Sequence, residues 1–178
     1  MMKALETVGL GKAIKFLWFG WFLWVLHVSL PPVRVLLLRL AGAKVGSDTI
    51  ILDVGFVNVY HYGFSKVRIG KRCFLGDDVM IDARGGVTLE DDVTLSNRVA
   101  VVSHINVGYP EHPLQRYFPM KESKVLFSKG VYVGTGAIIL TGVTIGRESV
   151  IGAGAVVTKD IPTRSVAVGV PAKVIKSI

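Results

Sequence analysis

Four histidines, one cysteine and a few carboxylates are the residues of this 178-residue chain whose chemistry goes beyond packing. His104 follows Ser103 at the point where a regular pattern gives way to an irregular stretch. An imidazole titrates near neutrality and can take up a proton and pass it on, so a histidine held at the end of an ordered element is a candidate general base. The plainer alternative is a loop histidine that bonds only the backbone. His112, eight residues on, is a candidate substrate contact, whereas His61 beside Gly63 and His27 in an apolar stretch are read as no catalytic partners. No two histidines have metal-ligand spacing, so a zinc centre is not expected. Asp82, in the string MIDARGG, can accept two hydroxyl donors or shape a turn with Gly85 and Gly86.

The elements that must position these residues follow a period of six. Phe127, Val133, Ile139, Ile145, Ile151 and Val157 recur at that spacing, and Val131, Ala137, Val143, Ser149 and Ala155 occupy the position four later. Neither a helix nor one continuous strand has this period. It fits a solenoid in which each hexapeptide is a short strand plus a corner and three hexapeptides close a triangular coil. Val45, Ile51, Val57, Ile69, Leu75, Ile81 and Val87 share one earlier phase with a gap at Gly63, and Leu89, Leu95 and Val101 continue after a slip of two. Gly134, Gly146 and Gly152 each follow an inward residue, where a corner needs backbone freedom or room for a neighbour. Cys73 falls four after inward Ile69, a packing position, and a lone cysteine builds no internal disulfide.

The string LTGVTIGRESVIGAGAVVTKDIPTRSVAVGVPAKVI, residues 140–175, resembles the last coils and tail of hexapeptide-repeat acyltransferases of the maltose, galactoside and polysaccharide O-acetyltransferase group. The resemblance spans roughly residues 40–178. It implies an all-β solenoid, a left-handed parallel β-helix, trimeric, with coenzyme A bound between subunits. It also implies that His104, in its Ser-His setting, is the general base and that Asp82 contacts the acceptor sugar or orients the base. For the donor it points to Tyr132, Gly134, Gly136, Gly152, Ala153, Thr158, Lys159, Lys173 and Lys176, the glycines lying under a pantetheine arm and the lysines meeting phosphates. Tyr132 stands where many relatives carry Trp, Lys173 where they often carry Arg, and Asp77, by the same resemblance a second candidate acceptor contact, near a position where sugar-specific relatives often carry Asn. Each glycine also reads as a corner residue and each lysine as solvated surface.

The pattern breaks from Ser103 to Leu126, where Pro110, Pro113 and Pro119 accompany Tyr109, Tyr117 and Phe118. A loop this long inside a compact domain is usually functional, and here an ordered excursion that walls off a cleft is expected. Residues 1–44 lack the repeat and form an N-terminal hydrophobic segment ahead of a 45–178 β-helix domain. Phe16 to Leu30 carries no formal charge and holds three Trp and three Phe, with Lys12 and Lys15 before it and Arg34, Arg39 and Lys44 after. That is short of the ~20 residues a spanning helix needs. A helix over 13–30, a break at Pro31-Pro32 and a second helix near Val33 to Leu40 are expected to form a monotopic or re-entrant membrane segment, with Arg34 and Arg39 meeting headgroups. A signal peptide fits less well because no small-residue cleavage site follows. A helix capping the solenoid is the bland alternative.

With 21 Lys and Arg against 13 acids the net charge is +8, which favours anionic partners such as phosphates and acidic lipids. The chain lacks the basic helix, zinc spacing or aromatic signature of a nucleic-acid binder. The expected activity is transfer of an acyl group, acetyl foremost, from acyl-CoA to a sugar hydroxyl in surface polysaccharide or glycolipid assembly, at the cytoplasmic face of the membrane. No permanently bound cofactor or metal is expected. N-acylation of an amino sugar or nucleotide sugar and a non-catalytic membrane-attached scaffold are the alternatives.

Overall fold

The computed structural model describes residues 10–178, so the first nine residues of the expected 1–44 segment lie outside the described part. Its solenoid opens with β1 (Lys44–Val45), β2 (Ile50–Ile51) and β3 (Val54–Val57). The second coil is β4 (Val67–Ile69), β5 (Phe74–Leu75) and β6 (Val79–Asp82), and the third is β7 (Val87–Leu89), β8 (Thr94–Leu95) and β9 (Ala100–Val101). The hairpin strands β10 (His104–Ile105) and β11 (Lys121–Glu122) then leave the solenoid. The fourth coil is β12 (Val125–Phe127), β13 (Tyr132–Val133) and β14 (Ile138–Ile139), and the fifth is β15 (Thr144–Ile145), β16 (Val150–Ile151) and β17 (Val156–Val157). The tail pairs β18 (Ser165–Val168) antiparallel with β19 (Lys173–Ser177).

Parallel pairing of each strand with its counterpart one coil away makes three faces. The first is β1-β4-β7-β12-β15, the second β2-β5-β8-β13-β16-β18-β19 and the third β3-β6-β9-β14-β17. Apolar residues six apart therefore point into the triangle from successive faces, and their register partners one coil on, Phe127 with Ile145, Val133 with Ile151 and Ile139 with Val157, stack in columns. Phe127, Val133, Ile139, Ile145, Ile151 and Val157 are all fully buried. Cys73 is buried as well, and burial pushes its thiol pKa up. Most corners turn through left-handed backbone, supplied by glycine at 130, 136, 142 and 154 and by charged residues such as Asp48, Arg72 and Glu148 elsewhere. Gly134 and Gly146 serve differently. A Cβ on Gly134 would sit 2.6 Å from Ala153 N and one on Gly146 2.5 Å from Thr163 N, so these glycines allow coils to approach.

The first coil departs from the expected phase. Phe56 rather than Val57 is buried, and Val57 pairs with Asp82 at the end of the face. The gap at Gly63 is an inserted helical turn, α3 (Val59–Tyr62), bounded by left-handed Asn58 and Gly63.

The chain enters through α1 (Leu10–Val28) and α2 (Pro31–Leu40). Phe19, Phe22, Leu23 and Leu26 of α1 turn onto the core, where Phe22 and Phe56 meet Phe64 edge to face. The opposite face leaves Ile14, Leu17, Trp18, Trp21, Trp24 and Val28 exposed at helical spacing. Val33, Leu36 and Leu40 of α2 are exposed too. No helix among the described residues is long and apolar enough to cross a membrane.

Arg34 does not reach outward as expected. It is buried, and its guanidinium donates to the carbonyls of Leu26 at 2.8 Å, His27 at 3.0 Å and Ser29 at 2.7 Å, where α1 ends. It also donates to Ile51 O at 3.0 Å and to Leu52 O on the first coil. Helix ends leave carbonyls without partners, and a five-donor fork answers that need better than solvent does. Arg39 likewise bonds Val45 O at 3.0 Å and Gly46 O at 2.8 Å. Both arginines fasten the helices to the solenoid.

Candidate active site

The edge between the third and first faces is turned in four residues at 83–86 and again at 140–143. At 58–66 it takes α3, and at 102–124 the excursion. Asp82 sits between these two departures, at the end of β6. Its Oδ1 accepts from Asn58 Nδ2 at 3.0 Å and Arg84 N at 3.2 Å. Its Oδ2 accepts from Ser103 N at 2.9 Å and meets His104 Nδ1 at 2.5 Å. Burial is the largest single influence on this carboxyl and raises its pKa, but the bonds from His104, Asn58, Ser103 and Arg84 together outweigh it. The carboxyl therefore ends below the usual aspartate value.

An ionised carboxylate only accepts, so His104 Nδ1 carries the proton and donates it to Asp82. Nε2 is then the free, basic nitrogen of a ring that is mostly buried, its side chain 18% exposed. A buried aspartate on one nitrogen fixes tautomer and orientation of the imidazole and steadies the charge that forms when the other nitrogen takes a proton.

The backbone around the pair is built for contact. Ser103 Oγ donates to Asp82 O at 2.8 Å and accepts from Gly85 N at 2.8 Å. A Cβ on Gly85 would lie 2.0 Å from Ser103 O, so only glycine fits there without moving a coil. His104 faces Glu122 across the β10–β11 ladder. Glu122 accepts from Arg84 Nε at 2.8 Å and Lys66 Nζ at 3.5 Å, and the Arg84 bond leads in lowering its pKa. Arg84 is buried, so this carboxylate ties the base of the excursion to the two preceding corners.

The remaining expected residues disperse. Asp77 lies at the opposite end of β6, where Asp53 N approaches its Oδ1 at 3.4 Å. His112 is exposed within the excursion and its Nδ1 accepts from Leu114 N at 3.1 Å. Gly134, Gly136, Gly152 and Ala153 line the edge between the second and third faces. Gly152, like Gly134, is explained by contact, since its Cβ would come 2.7 Å from Val168 Cγ1. Gly136 instead opens on empty space, as does Gly154, which the sequence reading passed over. Tyr132 stands exposed on the second face with its hydroxyl 3.1 Å from Ser96 Oγ, in register through Val150 and Val166 with Lys176. Lys173 shares β19 with Lys176, whereas Thr158 and Lys159 are exposed on the His104 edge, two coils on.

Asn58 and Arg84 are site residues that the sequence reading missed. Asn58 reaches Asp82 from 24 residues away because coils stack. Its one sequence signal was the interrupted repeat at Gly63.

Comparison with known proteins bears on this arrangement. The family described as bacterial transferase hexapeptide (six repeats) matches residues 128–159, and that described as hexapeptide repeat of succinyl-transferase matches residues 66–102. The chain is 37% identical over 153 residues to the galactoside O-acetyltransferase of Escherichia coli (strain K12), covering 85% of this chain and 72% of that protein. The chain belongs to the hexapeptide-repeat acyltransferases. A second relative of this acyltransferase is the putative colanic acid biosynthesis acetyltransferase WcaF of the same strain, 30% identical over 93% of this chain and 88% of that protein. A putative acetyltransferase of Schizosaccharomyces pombe is 40% identical, the match spanning 56% of that longer protein. Among solved structures, a galactoside acetyltransferase in complex with coenzyme A superposes with a TM-score of 0.78 at 31% identity, over 96% of this chain and 84% of that one. The maltose O-acetyltransferase from Clostridium difficile 630 gives 0.76 at 26%, over 96% and 89%. The solenoid of this acyltransferase is accordingly a left-handed parallel β-helix.

Proposed function

We propose that this acyltransferase transfers an acetyl group from acetyl-CoA to a hydroxyl of a sugar, with His104 as general base. The observation that carries the reading is the bond from His104 Nδ1 to the buried Asp82, which leaves Nε2 free at an edge flanked by two insertions. The similar galactoside acetyltransferase was solved with coenzyme A, and the relatives named for galactoside and maltose act on sugars by name. The exposed Lys159, Lys173 and Lys176, with the open backbone at Gly136 and Gly154, fit the phosphates and pantetheine arm of that co-substrate. Coenzyme A supplies an activated acyl thioester.

His104 Nε2 takes the acceptor hydroxyl proton as the oxygen attacks the acyl carbon, and His104 returns that proton to the departing sulfur when the carbon–sulfur bond breaks. Asp82 stays ionised throughout and holds the ring. No residue of the chain is acylated, and its one thiol, Cys73, is buried in the core.

The donor candidates occupy two edges and one face, so a single copy does not gather them around His104. A second copy, placing its second-to-third edge against the His104 edge, would complete the site, and the trimer that the family resemblance implies would supply such a copy. The reading also places α1 and α2 on a membrane surface, solenoid toward the cytosolic donor, because exposed Trp18, Trp21 and Trp24 form one apolar stripe on a basic protein. Such attachment suits a lipid-linked acceptor of surface polysaccharide assembly.

The test is release of free thiol from acetyl-CoA with a panel of galactosides, maltose, amino sugars and lipid-linked sugars, for wild type and His104→Ala. Acceptor-dependent release that falls by ~10² to 10⁴ in the variant is expected of a lost general base. Release that is unchanged by His104→Ala contradicts the assignment.

A further inference from the structure

α3 interrupts a solenoid that would close without it, and little of it is used for packing. Val59 is its buried residue; Tyr60 and Tyr62 stay exposed and His61 partly so. Aromatic side chains left in solvent beside a candidate active site call for a ligand more than for a core. The His61 ring is seated against Tyr60, centroids 4.3 Å apart, and Phe16 of α1 backs Tyr60 at 6.2 Å. Neither His61 ring nitrogen has a hydrogen-bond partner among the described residues, so both are available. Tyr62 is covered on one side by Lys66 Nζ, 3.5 Å from its ring centre, and the Tyr60 hydroxyl bonds Asn58, which leaves His61 as the aromatic of α3 best able to bind a hydroxyl.

Three facts put His61 on the His104 edge. The corner that holds α3 is two coil spacings from the corner that holds His104, roughly 10 Å. The Tyr60 hydroxyl donates to Asn58 Oδ1 at 3.2 Å, and Asn58 Nδ2 donates to Asp82, so α3 and His104 are fixed to the same carboxylate from either side. The charges acting on His61 are those of Arg84, Glu122, His104 and Lys15. Burial leads, and with Arg84, His104 and Lys15 outweighs Glu122 to lower the His61 pKa and favour the neutral ring, which can both donate and accept.

We propose that His61, backed by Tyr60, is an acceptor-binding residue that holds a sugar hydroxyl neighbouring the one His104 deprotonates. A neutral imidazole answers a hydroxyl, which is itself both donor and acceptor, and the stacked Tyr60 fixes its plane. The acceptor class is thus a pyranoside with adjacent free hydroxyls. The inference rests on the proposed transfer to a sugar.

Saturation-transfer NMR on the full chain tests it, with methyl β-galactopyranoside, maltose and a panel of monosaccharides as sugar probes and coenzyme A as the reference ligand. Wild type should transfer to sugar ring protons. His61→Ala should bind the same sugar about tenfold more weakly, the effect of one hydrogen bond near 1.4 kcal/mol. His61→Gln, which keeps a donor and an acceptor, should recover part of that loss, and Tyr60→Phe, which keeps the stacked ring, should retain most of the wild-type sugar affinity. Coenzyme A signals should be the same in all four, which also shows that the variants fold. Equal sugar transfer in wild type and His61→Ala, or none in wild type while coenzyme A signals persist, overturns the subsite and leaves the donor half of the proposed function standing. Loss of both ligands in wild type overturns both readings.

Discussion

The two ends of one edge differ more than any two faces of the solenoid. Where the edge joins the fourth and fifth coils, residues 140–143 turn the corner with Thr141 Oγ1 bonded to Ser123 O, left-handed backbone at Gly142 and packing to explain the residues. Where it joins the first four coils, two of three corners are expanded, and every side chain that can move a proton or bind a hydroxyl near Asp82 comes from them or from the short corner between. A regular repeat supplies stiffness, and deviations from it supply chemistry. The contrast also explains Gly85: a corner squeezed between Asp82 and Ser103 has room for the polar network only if one residue has no side chain.

Substitutions on the expanded side should act on rate, and those on the plain side on stability or not at all. Asp82→Asn keeps the shape and removes the charge that selects the His104 tautomer, so kcat should drop roughly 10- to 10³-fold with little change in the KM for acetyl-CoA. Steady-state kinetics with each substrate varied in turn checks this, and an equal rise in the acetyl-CoA KM would mean that the site itself had collapsed. Ile139→Ala, in the fully buried column of the fourth coil, should cost about 2–5 kcal/mol in denaturant unfolding while the folded fraction keeps its kcat. Gly85→Ala should do both, destabilising by about 1–3 kcal/mol and lowering kcat, because its Cβ pushes on the peptide that carries Ser103 into His104. Thr141→Ala, the control on the plain corner, should stay within about 0.5–1.5 kcal/mol in stability and leave kcat unchanged.

The same comparison gives a pH dependence. Asp82 and Glu122 both have folded pKa values below their ordinary ones. Their contribution to stability is therefore complete above the unfolded carboxylate value of about 4 and is lost as pH falls through the lower folded values. Between neutral pH and pH about 3, Asp82→Asn and Glu122→Gln should lose less stability than wild type, because they lack a titrating group, and Thr141→Ala should lose as much as wild type, as followed by denaturant unfolding in circular dichroism.

Much of this was legible in the sequence. A six-residue period survives translation into structure because every coil repeats the same geometry, so the buried columns and the excursion could be read directly, and His104 was marked by the break itself. Contacts between coils were not legible in the same way. Asn58, Asp82 and His104 are 24 and 22 residues apart, and only the stacking register says that Val57 lies over Asp82 and so brings the next side chain, Asn58, onto its carboxylate. The one-residue phase change at Phe56 and Val57 shows how easily that register slips. Arg34 illustrates a different limit. A cation flanking an apolar helix reads as a headgroup contact, but the pattern contains no sign of the carbonyls of α1 that its guanidinium satisfies.

The central claim is that Asp82 acts through His104, and a double-mutant cycle on acetyl-CoA-dependent transfer measures this most directly. Wild type, Asp82→Asn, His104→Ala and the double variant would be compared by kcat/KM with one saturating sugar acceptor. If Asp82 serves only to hold and charge the His104 ring, the double variant should be no slower than His104→Ala alone, within about threefold. If the two losses multiply, Asp82 works on the acceptor independently of the base, and the dyad as described here is wrong.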